Sequence, residues 1–325
     1  MTIIGIALGK HYDKKWKRID EDGSVLSPAQ HYFDDHPIFS GIADEEINGQ
    51  AMVRVPAFYY RNGVITDGDL AGKKALWISP APADGFTRHP AFMHHGAPID
   101  QFWIGKYQAT ADGPLMGSCA GAMPLASIDF PTMKDRAARR GDDWMLWSVY
   151  QLAAVQILAL IEHGTPDLAS VVGAGYVDGD GVRPVDDELV AQAAYRGITG
   201  LWGNVWQMLQ GLETNGAREW RIWDKAGRQE LIDTGIAAPE NNWFHRRQRK
   251  AGADFDLGAV FLPKKTRDAQ GDSGFGDYVW AWSDGEVAYH GGDWLNGALG
   301  GLFCLYVNSA ASLSDTHVGG RLAKV

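Results

Sequence analysis

The sequence lacks most of the signatures that identify common functional classes. Its 325 residues include only two cysteines, Cys119 and Cys304, which lie far apart and belong to no CxxC or Cys/His cluster. This excludes a disulfide scaffold and a structural zinc site. No GxSxG motif, P-loop or dinucleotide fingerprint is present. Lys and Arg number 30 against 40 Asp and Glu, a net charge of −10 that argues against nucleic-acid binding.

The sequence also lacks a clear membrane segment. Residues 1–8 are apolar, but the run is too short for a signal peptide. Residues 144–161 reach about the minimum length of a membrane span. They contain Gln151 and Gln156, however, and are followed by His163-Gly164, the end pattern of a soluble helix. We therefore predict a buried core helix, no membrane insertion, and folding in the cytoplasm.

Aromatic residues and glycine are abundant. The 13 Trp, 12 Phe and 11 Tyr exclude a disordered chain, and the 40 Gly and 14 Pro indicate many turns. Residues 1–85 show short extended pieces, with a hairpin turn predicted at 61–63 and a strand at 75–79. After a strand at 102–107, a first helix is predicted from Asp129 to Gly141, followed by the core helix and many short strands. The pattern predicts an α+β fold, with a β-rich region at 1–85 and a second domain at 86–325.

Three clusters of polar residues are weak candidates for sites. His89, His94, His95 and Asp100 fit no metal-binding spacing, so loop histidines are the favoured interpretation. Residues 178–181 (DGDG) resemble the start of a calcium loop but lack the bidentate Glu, so an acidic turn is favoured over a calcium site. Residues 245–250 (HRRQRK) are basic, which is typical of a solvated loop or a subunit contact. No catalytic constellation is found.

Four short motifs carry a family resemblance. They are FWIGKY at 102–107, GLWGNVWQ at 200–207, GGDW at 291–294 and GGR at 319–321. Their order resembles the C-type-lectin-like fold of the formylglycine-generating-enzyme superfamily over residues 86–325. Segments 77–80, 86–92 and 161–165 are similar to phage and prophage tail proteins, which extends the resemblance to about residue 50. Residues 1–50 have no comparable match.

The resemblance implies which branch of the superfamily to expect. The enzyme branch uses two cysteines in a CxxxxC spacing, but Cys304 has Leu299 at the earlier position. Copper-dependent thiol chemistry would lack its ligand pair, so no enzyme and no cofactor are expected. The spacing after residue 291 looks like the variable region of diversity-generating-retroelement proteins, which include phage tropism determinants. Gly320 departs from that pattern, because Phe is expected before Arg321.

In those proteins, mutated Asn codons never become Lys, Glu, Gln, Met or Trp, and residues 295–317 contain none of the five. A Gly/Ala/Ser-rich terminal strand and loop is the alternative explanation of that window. Trp202, Trp206 and Trp294 are interpreted as rigid scaffold residues outside it. The ligand-binding positions that the resemblance implies are Leu295, Asn296, Leu299, Tyr306, Asn308, Ser309, Leu313, Asp315, Thr316 and His317.

The resemblance also implies partners and a location. We expect a virion protein of a phage tail tip or fibre, in which residues 1–85 attach to other tail proteins or form an oligomer, with a homotrimer favoured. The second domain would bind a protein or glycan receptor on the host surface. Two alternatives remain open at this point: a formylglycine-generating-like oxidoreductase and a purely structural tail component.

Overall fold

Short strands joined by loops make up most of the chain, and the helices are few. A computed structural model describes residues 2–14, 16–281, 285 and 287–325. The mixture of many small sheets and few helices confirms the α+β class predicted from the sequence.

The described residues form the following elements in chain order. The strands are β1 (Ile4–Ala7), β2 (Lys17–Ile19), β3 (Val25–Leu26), β4 (Ala43–Ile47), β5 (Gln50–Pro56), β6 (Tyr59–Val64), β7 (Lys74–Ser79), β8 (Thr87–Arg88), β9 (Met93–His94), β10 (Ala97–Pro98), β11 (Gln101–Gly105), β12 (Thr110–Asp112), β13 (Leu115–Gly117), β14 (Trp144–Leu146), β15 (Trp206–Leu209), β16 (Leu212–Thr214), β17 (Glu219–Trp223), β18 (Leu231–Ala237), β19 (Asn242–Arg247), β20 (Pro263–Arg267), β21 (Tyr278–Trp280), β22 (Val287–His290), β23 (Leu305–Ser309), β24 (Val318–Gly319) and β25 (Leu322–Lys324). The helices are α1 (Gln30–Asp35), α2 (Pro37–Ser40), α3 (Phe130–Ala138), α4 (Val149–His163), α5 (Ala169–Val172) and α6 (Glu188–Ala191), with 3₁₀ turns at Pro90–Phe92, Leu257–Ala259, Gln270–Asp272 and Gly297–Leu299.

Three larger sheets organise these strands. The first has the order β3-β2-β1-β7-β6-β8, the second β14-β25-β11-β5-β4, and the third β20-β19-β21-β23-β22-β15-β24. A three-stranded sheet, β16-β17-β18, and the two-stranded sheets β9-β10 and β12-β13 complete the fold. Most pairs are antiparallel, but β21 runs parallel to β23, and β15 runs parallel to β24.

The second sheet joins strands from both sides of residue 85. Strand β5 pairs with β11, with Val53 opposite Ile104, and β25 pairs with β11 on its other side. Arg18 in β2 also donates from Nε to the carbonyl of Ile161 in α4, over 3.0 Å. The division of the chain at residue 85 stays a prediction, and the structure adds that the two parts share a sheet and one hydrophobic core.

The two longest helices differ in how well the sequence predicts them. Helix α3 begins as expected, because the Asp129 side chain accepts from the backbone N–H of Thr132 over 2.9 Å. The predicted start of the core helix at Trp144 is wrong: Trp144–Leu146 form β14, and α4 begins after Ser148. Ser148 and Gln151 form a capping box there.

Helix α4 is buried along almost its whole length, and Gly164 ends it with a φ of 68°. Because strand β1 and the 3₁₀ turn Pro90–Phe92 pack against it within the hydrophobic core, an apolar surface all round is stable. Within the part of the chain that the structure describes, no helix combines the length and the apolar composition that a membrane span requires.

Two buried ionic groups fix distant parts of the chain. Arg321 is fully buried and donates five hydrogen bonds, to the Gln207 side chain and to the carbonyls of Gly105, Lys106, Thr199 and Gly200. Burial lowers the pKa of Arg321 to about 9. These bonds tie the end of the chain to the loops beside β11 and β15.

The second group is the carboxylate of Glu162 in α4. It accepts from Arg196 Nε and Nη2, each over 2.7 Å, from the Tyr195 hydroxyl over 2.8 Å and from the Gln30 amide over 2.9 Å. Burial raises the pKa of Glu162, but the hydrogen bonds from Arg196, Gln30 and Tyr195 outweigh it and lower the pKa. This pairing joins α1 to the core helix.

The predicted hairpin turn at residues 61–63 is also wrong. These residues lie within β6, where Arg61 faces Trp77 and Gly63 faces Ala75 of β7. A Cβ at Gly63 would lie 3.0 Å from the ring of Trp77. Glycine here makes room for an indole across the sheet and does not mark a turn.

Candidate functional site

A tight glycine turn begins the C-terminal segment. Gly291 and Gly292 have backbone φ values of 96° and 81°, a conformation that residues other than glycine rarely adopt. A Cβ at Gly291 would lie 3.1 Å from the carbonyl oxygen of Leu201. The turn places Asp293 in a largely buried position, where its carboxylate accepts from the Leu295 N–H over 2.8 Å. A carboxylate held in a fixed position therefore lies just before the predicted window at residues 295–317, and the sequence analysis did not select it.

Residues 310–317 form a loop held by its backbone. The Ser127 N–H donates to the carbonyl of Asp315 over 2.9 Å, and the Phe130 N–H donates to that of Ala311 over 3.0 Å. The Trp206 N–H donates to the carbonyl of His317 over 2.8 Å. Because the main chain makes these bonds, the side chains of the loop can change without removing them.

The loop brings His317 between two carboxylates. His317 Nδ1 lies 2.8 Å from Asp315 Oδ1, and His317 Nε2 lies 3.9 Å from Asp293 Oδ2. We call Asp293, Asp315 and His317 the carboxylate–histidine cluster. Asp293 is buried, whereas about a third of the His317 side chain is exposed. The cluster therefore offers hydrogen-bonding groups at the surface on a rigid base.

The two carboxylates of the cluster have opposite pKa shifts. Burial raises the pKa of Asp293, against hydrogen bonds from the Leu295 N–H and Trp206 and the charge of His317. Burial acts in the same direction on Asp315, but it is outweighed by His317 and by backbone N–H groups, and the pKa of Asp315 is lowered. Asp315 is also the more exposed of the two carboxylates.

A row of aromatic rings crosses the outer face of the seven-stranded sheet next to this cluster. We call it the aromatic row; its members are Trp243 of β19, Tyr278 and Trp280 of β21, Tyr306 of β23 and Trp206 of β15. Ring centroids are 5.4 Å apart for Trp243–Tyr278 and 4.5 Å for Tyr278–Trp280. Tyr306 lies 6.0 Å from Trp280 and 5.7 Å from Trp206. These distances are typical of favourable aromatic pairs.

The aromatic row is accessible at one end and buried at the other. Trp243, Tyr278, Trp280 and Tyr306 are partly exposed, whereas Trp206 is buried. Among the described residues, the indole N–H groups of Trp243 and Trp280 have no hydrogen-bond partner in the chain. Each can therefore donate to a ligand that stacks against its ring.

Trp206 connects the row to the cluster. Its indole lies close enough to the carboxylate of Asp293 to lower the pKa of that group, and its ring contacts Tyr306. Tyr306 also stacks on the buried ring of Tyr289 at an interplanar angle of 9°. The row and the cluster consequently form one continuous surface, with Trp206 beneath its centre.

The predicted positions divide into three groups. Tyr306, Asp315 and His317 belong to this surface, and Thr316 donates to Asp315 over 3.2 Å. Leu295 is 64% exposed beside Asp293. The Asn296 side chain accepts a hydrogen bond from the Asp293 N–H over 2.6 Å and so closes the turn between these two residues. The remaining positions lie on the 3₁₀ turn (Leu299), on the outer face of β23 (Asn308), on the buried face of β23 (Ser309) and in the loop (Leu313, 37% exposed).

Ser309 differs from the other predicted positions of β23 in its burial. Side chains alternate along β23, so Leu305, Val307 and Ser309 are buried while Tyr306 and Asn308 are partly exposed. The Ser309 side chain therefore does not belong to the exposed surface in this structure.

Sequence analysis missed Asp293, Trp243, Tyr278 and Trp280. The alternation Tyr278-Val279-Trp280 was the available signal, since two aromatics two residues apart share a face of a strand. The signal was incomplete, because the sheet order that puts β21 beside β23 joins segments some 25 residues apart.

The weaker candidates show ordinary roles. His89 is fully buried, with Nε2 2.9 Å from the Ala259 carbonyl oxygen and Nδ1 accepting from the Ala91 N–H. Within the described ranges, no group of three His, Cys, Asp or Glu residues is arranged to hold a metal ion. In the acidic turn, the Gly179 N–H donates to the Trp294 carbonyl, and Asp180 lies 3.3 Å from the Tyr176 hydroxyl. The interpretation of residues 178–181 as an acidic turn, favoured over a calcium site, stays a prediction.

The cysteine that would serve an enzyme is inaccessible. Cys304 is buried, and burial, together with Asp277 and Asp293, raises the pKa of its thiol well above its usual value. A thiol in this state is a poor nucleophile and a poor metal ligand.

The structural neighbours of the chain are variants of the Major Tropism Determinant. The M1 variant matches with a TM-score of 0.34 and 11% identity, covering 98% of this chain and 71% of that chain. The P3c variant matches with a TM-score of 0.35 and 12% identity, covering 95% and 91%. The I1 variant matches with a TM-score of 0.34 and 12% identity, covering 95% of this chain and 91% of that chain.

These neighbours belong to the group that the sequence resemblance implies. Such low values do not transfer a function or a binding site from one protein to another. No protein-family profile matches the chain, and no curated protein matches it.

Proposed function

We propose that the chain is a receptor-binding protein of a phage tail and that its receptor site is the surface formed by the aromatic row and the carboxylate–histidine cluster. The observation that carries this proposal is the continuity of the two through Trp206. Rings fixed by their neighbours offer contact area at a small cost in conformational entropy. The adjacent Asp315 and His317 supply the polar contacts that give such an interface its specificity.

The proposal includes the C-type-lectin-like fold and a C-terminal segment diversified by a retroelement. The loop at 310–317 supports it, because its main-chain bonds leave its side chains free to vary. A non-enzymatic role is supported by the buried thiol of Cys304. We further propose a virion location, attachment to other tail proteins through the first 85 residues, and a homotrimer, in which three copies would raise a weak single-site affinity. Sedimentation equilibrium of the purified chain tests the trimer, and a monomer across the concentration range would contradict it.

Cell binding by the purified, labelled chain tests the receptor site. Tyr306→Ala removes a ring that contacts Trp280 and Trp206, and we expect at least ~30-fold weaker binding, a loss of about 2 kcal/mol. Tyr59→Ala is the matched control, since Tyr59 is also partly exposed on a strand but lies in the N-terminal sheet. Tyr306→Phe retains the ring contacts and removes only the hydroxyl, so it distinguishes the contribution of the hydroxyl to binding from that of the ring.

Melting temperatures of all three variants exclude loss of fold as the cause of a binding defect. Full cell binding by Tyr306→Ala would contradict the proposed site. No host binding by the folded wild-type chain, at any concentration that saturates a known adhesin, would favour the purely structural tail component. Diversification has its own test in the flanking DNA: a near-copy of the 3′ end of the gene, with adenines at these codons, together with a reverse transcriptase gene.

A further inference from the structure

A basic cavity lies away from the proposed receptor site. Its volume is about 640 Å³, which falls within the range of pockets that hold small ligands. Residues 8–11 and 14, the start of β7 and the end of strand β19 line it, with the rings of Trp16 and Phe275 as an apolar wall. Besides Arg247, its basic lining residues are Lys10, Lys14, Lys73, Lys74, Arg246 and Arg249.

Among the described residues, no carboxylate lines the cavity, although the whole chain has a net charge of −10. Within the described part of the chain, none of these seven cations forms an ion pair. Burial, together with the charges of Arg249, Lys264 and Arg246, lowers the pKa of Lys74. Like charges are thus held close together without a compensating partner from the chain.

Arg247 is the buried cation of the group. It is 5% exposed, and its Nη2 donates to the Asn62 side chain over 2.7 Å and to the Gly258 carbonyl. Its Nε and Nη1 are buried and have no hydrogen-bond partner among the described residues. An unpaired N–H of a buried cation is costly, so Arg247 adds an uncompensated positive charge to the wall of the cavity.

The carboxylate of Asp256 does not pair with these Arg247 atoms. The charge of Asp256 acts on Arg247, but Asp256 accepts hydrogen bonds from the Tyr60 hydroxyl and the Gly258 N–H. Burial and the charge of Arg249 lower the pKa of Arg247 to about 10. The guanidinium still carries its charge at neutral pH and lies over the ring of Phe261, 4.9 Å from its centroid.

We propose that this cavity binds a small ligand with two or more phosphate or sulfate groups. Tetrahedral oxyanions accept several charge-assisted hydrogen bonds, and they match both the guanidinium fork and the ammonium groups present here. Seven cations around one cavity favour a ligand of several negative charges over a single carboxylate. The negative net charge of the chain opposes a long polyanion, which favours a compact ligand over nucleic acid.

Isothermal titration calorimetry of the full chain in about 0.15 M salt, where surface charges are screened, tests the proposal. The probes are sodium tripolyphosphate, a trisulfated disaccharide, its unsulfated counterpart and a random single-stranded oligonucleotide. We expect 1:1 binding of the first two and no binding of the unsulfated sugar. Tighter binding of tripolyphosphate would identify a free oligophosphate as the source, and tighter binding of the sulfated sugar would identify an anionic glycan.

The double variant Lys74→Gln/Arg246→Gln should weaken tripolyphosphate binding at least tenfold. The control Arg139→Gln removes an exposed guanidinium just after α3 that pairs with Asp135 and does not line the cavity. Arg247→Lys keeps the positive charge but loses the planar guanidinium group, and it should also weaken tripolyphosphate binding. Melting temperatures confirm that each variant is folded.

Three results would overturn the proposal. The first is the absence of heat with either anion in the folded wild-type chain. The second is equal weakening by Arg139→Gln, which would assign the binding to general charge. The third is tighter binding of the oligonucleotide than of tripolyphosphate, which would assign the surface to nucleic acid.

Discussion

The buried imidazole of His89 makes a quantitative prediction about acid stability. Its Nε2 hydrogen donates to the carbonyl of Ala259, and its Nδ1 accepts from the Ala91 N–H, so the neutral tautomer satisfies both contacts. Burial, with the charge of Arg247 in the same direction, lowers the pKa of His89 from 6.5 to about 4. The bond to Ala259 joins the segment before β9 to the turn before β20.

The direction of the change in stability with pH follows from proton binding. The folded pKa is depressed, so the unfolded chain binds a proton between pH 6.5 and about 4 that the folded chain does not. The stability from neutral His89 is present above the unfolded pKa and is lost as pH falls. At 1.36 kcal/mol per unit, the loss is about 2 kcal/mol by pH ~5 and about 3.4 kcal/mol in total.

Urea unfolding followed by tryptophan fluorescence measures this effect. His89→Asn retains an acceptor for the Ala91 N–H but cannot titrate. The difference in unfolding free energy between wild type and His89→Asn should shrink by about 2 kcal/mol from pH ~7 to pH ~5. His31→Asn, at an exposed position, serves as the control for the loss of one surface imidazole. A difference that stays constant across this range would refute the reasoning.

Three further predictions concern buried groups. Arg321→Lys leaves at most three donors for five acceptors and should lower the unfolding free energy by about 2–6 kcal/mol in urea; a loss below ~1 kcal/mol would contradict the role of the fork. Glu162→Gln removes the buried charge partner of Arg196, leaves only the exposed Asp34 paired with it, and should cost about 3–5 kcal/mol in the same assay; an unchanged midpoint would show that the buried pair is not needed for stability. An aromatic disulfide reagent should label Cys119 in the native chain and Cys304 only after unfolding; rapid native labelling of both would contradict the burial of Cys304.

Local signals predicted part of the fold correctly. Helix α3 begins where Asp129 caps it, because the cap and the proline that follows act within one turn. Strand β7 was also predicted, since its residues are β-branched or aromatic and are followed by Pro80.

Long-range pairing explains the main errors. Residues 144–146 continue the apolar run of α4, but they form β14 because Leu322–Lys324 pairs with them from the other end of the chain. Ser148 with Gln151 was the local signal for the true helix start, and it was not used. The receptor surface was predicted only in part for the same reason: Tyr306 was selected from its own segment, whereas Trp280 and Trp206 reach it through β21 and β15.

Strand β19 bears on both proposed sites and explains why they can be tested separately. Trp243 at its start belongs to the aromatic row, and Arg246 and Arg247 at its end line the basic cavity. The register against β20 shifts between Phe244 and Arg247, and such irregularities redirect side chains along a strand. Because Trp243 contacts Tyr278 and Arg247 contacts Asn62 and Gly258, the two ends rest on different neighbours. A substitution in the cavity should therefore leave cell binding through Tyr306 intact unless the receptor itself carries the phosphate or sulfate groups, in which case both assays would change together.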